Sequence, residues 1–90
     1  MLEGKVKIIN QLGLHARAAA QLVRLASSFQ SSIQIKRTDN NVMAEAKSIL
    51  SVLTLAAAKG TQLDLTVSGA DEQEAFQAIT EIFANGFGEL

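Results

Sequence analysis

The apolar residues change their spacing several times along the chain, and no other feature narrows the fold as much. Val6 and Ile8 alternate with Lys5 and Lys7, the period-two mark of a half-buried strand. Asn10 to Gly13 reads as a turn. From His15 to Phe29 the spacing is helical. Ala19, Leu22, Val23, Ala26 and Phe29 share one face, and Arg17, Gln21 and Arg24 share another. Ile33 and Ile35 alternate again, with Gln34 and Lys36. The run Thr38-Asp39-Asn40-Asn41 marks a turn between strands, and Val42 and Ala44 suit one side of a short third strand. Ser48 is placed to cap a second helix running to about Lys59, with Gly60 just past its end. Leu63, Leu65 and Val67 make the clearest strand. Asp71 followed by Glu74 has the form of a capping box. A last helix follows, striped by Ala75, Phe76, Ile79, Ile82 and Phe83, with Gly86 as its stop.

The order β-α-β-β-α-β-α, with alternating rather than continuous apolar strands, implies two layers: a sheet with one face on helices and one face wet. Ninety residues, 1–90, give room for one domain and one modest core. An apolar share of 48% is globular rather than disordered. A formal net charge of -1 and the absence of Tyr and Trp argue against a nucleic-acid partner. With no Cys, disulfides, thiolate catalysis and Cys-ligated metals are excluded. The apolar run Val52 to Ala58 is interrupted by Thr54 and too short for a bilayer, and no signal-peptide pattern opens the chain. A cytoplasmic protein without membrane insertion is the expectation.

The one histidine, His15, falls at the start of the first helix, after Gly13 allows a tight turn and Leu14 tucks inward. Backbone N–H groups lack intrahelical partners there, and the dipole amounts to roughly half a positive charge. That environment favours a neutral, nucleophilic imidazole, and it would receive a phosphoryl group well. Arg17, two residues on, is placed for a charge-assisted hydrogen bond to phosphate oxygens. On spacing alone, a plain surface or capping role stays open for both residues. A Ser-His-Asp triad finds no nucleophile elbow, and one His without Cys leaves only carboxylates for a metal. No glycine-rich phosphate loop is present, so no cofactor is implied.

Gly13-Leu14-His15-Ala16-Arg17 resembles the active-site signature of the HPr family, the histidine phosphocarriers of the phosphoenolpyruvate:sugar phosphotransferase system. Lys47-Ser48-Ile49-Leu50-Ser51-Val52-Leu53 is similar to the family's regulatory-serine segment. Ala57-Ala58-Lys59-Gly60, Ser68-Gly69-Ala70-Asp71-Glu72 and the terminal Gly86-Phe87-Gly88-Glu89 also fit. The resemblance covers essentially the whole chain. It implies an α+β open-faced sandwich: a four-stranded antiparallel sheet in the order 1-4-2-3, with three helices on one face.

It further implies a monomeric carrier, not an enzyme in its own right. Enzyme I would place phosphate on Nδ1 of His15, with Arg17 and the backbone N–H of Ala16 on its oxygens, and an enzyme IIA domain would receive it. Ala20, Arg24, Ile49, Leu50 and Leu53 match the family's partner-binding patch, although spacing alone would let the second helix be buried all round. Val52 and Leu55 are spaced to face the core. Ser48 matches the serine that an HPr kinase/phosphorylase modifies in some bacteria. Three departures stand out: Ala18 where many members have Pro, Ser51 and Ala56 where many have Gly, and a longer loop ahead of Ser48. Two other readings remain beside the carrier. One is an HPr-fold regulatory binding protein, in nitrogen-related or transcriptional control. The other is a generic ferredoxin-like small-molecule binding domain.

Overall fold

The computed structural model describes residues 1–89. Its strands are β1 (Leu2–Lys7), β2 (Ser32–Arg37), β3 (Met43–Glu45) and β4 (Gln62–Ser68); its helices are α1 (Ala16–Ser27), α2 (Ile49–Thr54) and α3 (Glu72–Ala84), followed by a 3-10 turn at Gly86–Gly88. The strands form one antiparallel sheet in the order β1-β4-β2-β3, with Val6 opposite Leu63 and Ile35 opposite both Leu65 and Ala44. This is the expected topology.

The inward positions fill one core. Ile33, Ile35, Leu63, Leu65 and Val67 are fully buried beneath Ala19, Leu22, Ala26, Val52, Ala75 and Ile79 from the helices. The outward positions Lys5, Gln34, Lys36, Asp64 and Thr66 make the wet face. Gly4 is inward too, and its missing side chain makes room for Phe76, whose ring lies 2.6 Å from where a Cβ would stand. Among the described residues no helix is long and apolar enough to cross a membrane.

Four expectations need correction. The first helix ends at Ser27 rather than Phe29, because Ser28 Oγ takes the Leu25 carbonyl at 2.6 Å and the chain turns toward β2. The third strand does not include Val42, which is 39% exposed; the left-handed Asn41 (φ 61°) breaks the extended run just before it. The second helix stops at Thr54, well short of Lys59. Arg37 Nη1 donates to the Leu55 carbonyl at 2.8 Å, the Leu14 N–H donates to Ala57 O at 2.8 Å, and Ala56 turns left-handed at φ 48°. Ala56 thus stands in a backbone conformation that glycine adopts more readily.

The capping box does not form. Asp71 stands at the N-cap of α3, but its carboxylate accepts from the Gln30 N–H, the Ser31 N–H and Ser31 Oγ, at 2.9, 2.9 and 2.5 Å. Glu72, not Glu74, reaches back, taking the Gly69 N–H at 3.1 Å.

Candidate functional site

Three segments meet around the histidine. The first is the turn from β1 into α1. Gly13 adopts φ 68°, its N–H donates to Asn10 O at 3.1 Å, and a Cβ on it would stand 2.6 Å from Ala57 O. Leu14 is buried and its N–H is held by that same Ala57 carbonyl. The turn therefore fixes where His15 emerges.

His15 is the N-cap residue of α1, with extended backbone (φ -75°, ψ 178°) and no side-chain cap bond. The first intrahelical bond runs from the Ala19 N–H to His15 O at 2.8 Å. The N–H groups of the first turn lie ahead of that bond and have no intrahelical acceptor. No acidic residue sits in that turn. The helix end thus faces outward, electropositive, beside a half-buried imidazole whose side chain is 25% exposed.

The second segment is the chain end. After α3 a tight turn, with Phe87 left-handed at φ 56° and packed edge-on against Phe83 at 5.1 Å, returns Glu89 to the histidine. His15 Nε2 and Glu89 Oε2 lie 2.5 Å apart. Asn10 Nδ2 donates to Glu89 Oε1 at 2.9 Å. The Glu89 carboxyl is held below the usual carboxylate range, first by the Asn10 hydrogen bond, then by His15, with the Arg17 charge adding a smaller pull. An ionised carboxylate only accepts, so Nε2 is the nitrogen that carries the proton. In the neutral ring that leaves the lone pair on Nδ1, the tautomer being set by the partner across the ring.

The third segment is a pair of exposed helix faces, one on α1 after the histidine and one on α2, which packs against α1. Arg17, Ala20 and Arg24 are exposed on α1. On α2, Ile49, Leu50 and Leu53 are 38%, 75% and 38% exposed, while Val52 and Leu55 are buried. The second helix is therefore not buried all round. Three large apolar side chains stand in water on a helix that packs against α1. Ser48 caps α2, its Oγ accepting the Ser51 N–H at 3.4 Å.

The structure brings His15, Ala16 and Arg17 together at one helix end. Sequence reading missed two members of the site, Asn10 and Glu89. By sequence Asn10 is a turn residue and Glu89 part of the Gly86-Phe87-Gly88-Glu89 ending. Glu89's only signal is its place in the match to the family's ending, since it lies 74 positions from His15, and Asn10 has none beyond the turn. Among the described residues no group of three or more His, Asp and Glu could hold a metal ion.

A four-stranded open-faced sandwich with a half-buried histidine at a helix N-terminus is the arrangement that the resemblance to the HPr family implies. Residues 2–85 match the family described as PTS HPr component phosphorylation site, and the chain belongs to this PTS-HPr family. It is 48% identical over 89 residues to the phosphocarrier protein HPr of Cupriavidus necator, covering 99% of this chain and 98% of that one. It is 41% identical over 85 residues to the phosphocarrier protein NPr of Proteus mirabilis, covering 94% and 93%. The crystal structure of HPr-C-His from Thermoanaerobacter tengcongensis superposes with a TM-score of 0.93 at 38% identity, covering 100% of this chain and 99% of that one.

Proposed function

We propose that His15 accepts a phosphoryl group on Nδ1 from phospho-Enzyme I in the cytoplasm and passes it to an enzyme IIA domain. The observation that carries this reading is the Glu89 carboxylate on Nε2, which leaves Nδ1 as the free base at the mouth of α1. The Nδ1 lone pair attacks phosphorus as the donor's P–N bond breaks, and the donor imidazole leaves with its electron pair. Arg17 and the Ala16 N–H take the phosphoryl oxygens, and the helix end offsets their charge. In the second transfer His15 is the leaving group. The protein is a stoichiometric covalent relay, with its partners supplying turnover.

Ala20, Arg24, Ile49, Leu50 and Leu53 form the docking surface, a small apolar patch with charges at its edge that suits partners which bind and release quickly. The carrier acts as a monomer. A phosphate on Ser48, added by an HPr Ser kinase where the host has one, would set about -1.5 to -2 charges beside Ile49 and Leu50 and weaken Enzyme I docking. A Ser48→Asp variant that takes phosphate at the wild-type rate would count against that regulation. The NPr relative favours a second reading, in which the same relay serves a different IIA partner and no sugar transport.

The test is incubation with phosphoenolpyruvate, magnesium and Enzyme I beside a His15→Ala control. One acid-labile phosphoryl group by intact mass, absent from the control, supports the relay. No labelling of folded protein by a cognate Enzyme I would overturn it.

A further inference from the structure

Asn10 is fully buried between the end of β1 and the turn before His15. Both hydrogens of its side-chain amide are used. One goes to Gly13 O at 2.8 Å and one to Glu89 Oε1 at 2.9 Å. Both acceptors are oxygens that donate nothing, so the reversed amide, with Oδ1 facing them, is repulsive. The cost of this orientation is visible at the other end of the group: Asn10 Oδ1 is buried with no hydrogen-bond partner among the described residues. Buried polar atoms are satisfied almost everywhere in folded proteins, so the two bonds made by the amide hydrogens are what decide this orientation. A brace for the turn alone would need only the bond to Gly13 O. The second bond crosses 79 positions of sequence to the carboxylate that sits on the histidine ring.

We propose that Asn10 is a positioning residue for His15: its amide holds Glu89 against Nε2, keeping the proton there and the Nδ1 lone pair aimed outward past the end of α1. One amide hydrogen fixes the backbone from which the imidazole springs. The other fixes the carboxylate that orients the ring. Backbone and ring are thereby referred to one buried side chain five positions ahead. The same contact is the leading cause that holds the Glu89 carboxyl below its usual pKa, which keeps the ring's partner ionised. Asp at position 10 would match Asn in size but offer no donors, and its charge would repel Glu89. The effect on transfer rests on His15 being the phosphoryl acceptor; the placement of the proton does not.

Two readouts separate these claims. In the free protein at a pH where the ring is neutral, long-range proton–nitrogen NMR of wild type should show Nε2 protonated and its proton slow to exchange. In folded Asn10→Ala and Asn10→Asp that proton should exchange fast and lose its hydrogen-bonded shift, as in Glu89→Gln. With phospho-Enzyme I, the maximal transfer rate of each variant should fall about tenfold, the scale of losing a partner behind a reactive histidine, with KM unchanged because the docking patch is intact. Combining Asn10→Ala with Glu89→Gln should add nothing further.

A wild-type Nε2 proton signal in folded Asn10→Ala, or a variant whose KM rises while its maximal rate holds, would overturn the proposal. If the Asn10 variants do not fold, Glu89→Ala tests the same contact from the other side. It should speed exchange of one Asn10 side-chain amide proton, and unchanged amide signals would overturn the proposal. If wild type itself takes no phosphate, the relay reading fails while the proton readout still judges Asn10.

Discussion

Gly13→Ala should be far more damaging than Gly60→Ala, although both glycines are left-handed, at φ 68° and 94°. Alanine in that region costs about 1–2 kcal/mol from backbone sterics alone. At position 60 that is the whole effect, because nothing lies within 4 Å of the new Cβ. At position 13 the Cβ would stand 2.6 Å from Ala57 O and 3.0 Å from Ala58 Cα, both backbone atoms. Relieving such overpacking costs about 1–3 kcal/mol. It also pulls the Leu14 N–H from Ala57 O, a bond of 2.8 Å, and a hydrogen bond of that kind is worth about 1 kcal/mol net.

The two variants should therefore differ by about 2–4 kcal/mol. At 4–8 °C per kcal/mol for a chain of this size, that is a gap of roughly 10–30 °C in Tm. Urea and thermal denaturation followed by circular dichroism measure it. Transfer from phospho-Enzyme I should slow in Gly13→Ala, whose turn sets His15, and hold in Gly60→Ala. Equal stability losses in the two variants would show that the close approach of the turn to Ala57 is not what holds it.

Three further outcomes follow from the same geometry. Ala18→Pro should be tolerated or stabilise by about 0.4–1 kcal/mol, since the Ala18 N–H precedes the first intrahelical bond and proline restricts the unfolded chain; a fall in Tm would contradict this. Leu50→Asp should leave stability within about 0.5 kcal/mol, because Leu50 is 75% exposed, yet raise KM for Enzyme I, whereas buried Val52→Ala should cost about 2 kcal/mol. The Asp71 carboxyl is lowered, first by Ser31 Oγ and then by the Gln30 N–H. Its contribution is present above the unfolded-state value of about 4 and is lost as pH falls through the lower folded value. Wild type should lose stability across that acid window more steeply than Asp71→Asn, and parallel profiles would deny Asp71 the role.

Periodicity made the layers legible. Leu63, Leu65 and Val67 alternate with polar residues because one face of β4 is buried; the divided surface of α2 is legible only through the family resemblance, since spacing alone lets that helix be buried all round. What periodicity cannot encode is a hydrogen bond made across the fold. The early end of α2 depends on Arg37, 18 positions before the carbonyl it takes. Asp71 left its own helix for Ser31, 40 positions away, because that segment offers it a hydroxyl and two N–H groups at once. The candidate role of His15 came from the match to the family's signature, while its placement at a helix start after Gly13 was legible from the sequence. The partners that set its ring, Glu89 and Asn10, were not, since nothing local to either marks a contact with an imidazole.

The most direct measurement is nitrogen-resolved NMR of ring-labelled protein after phosphorylation by phosphoenolpyruvate and Enzyme I. Phosphorus bonded to Nδ1 of His15, with Nε2 still protonated against Glu89, is the expected result. Phosphorus on Nε2 would contradict it, because that nitrogen is the one the carboxylate holds.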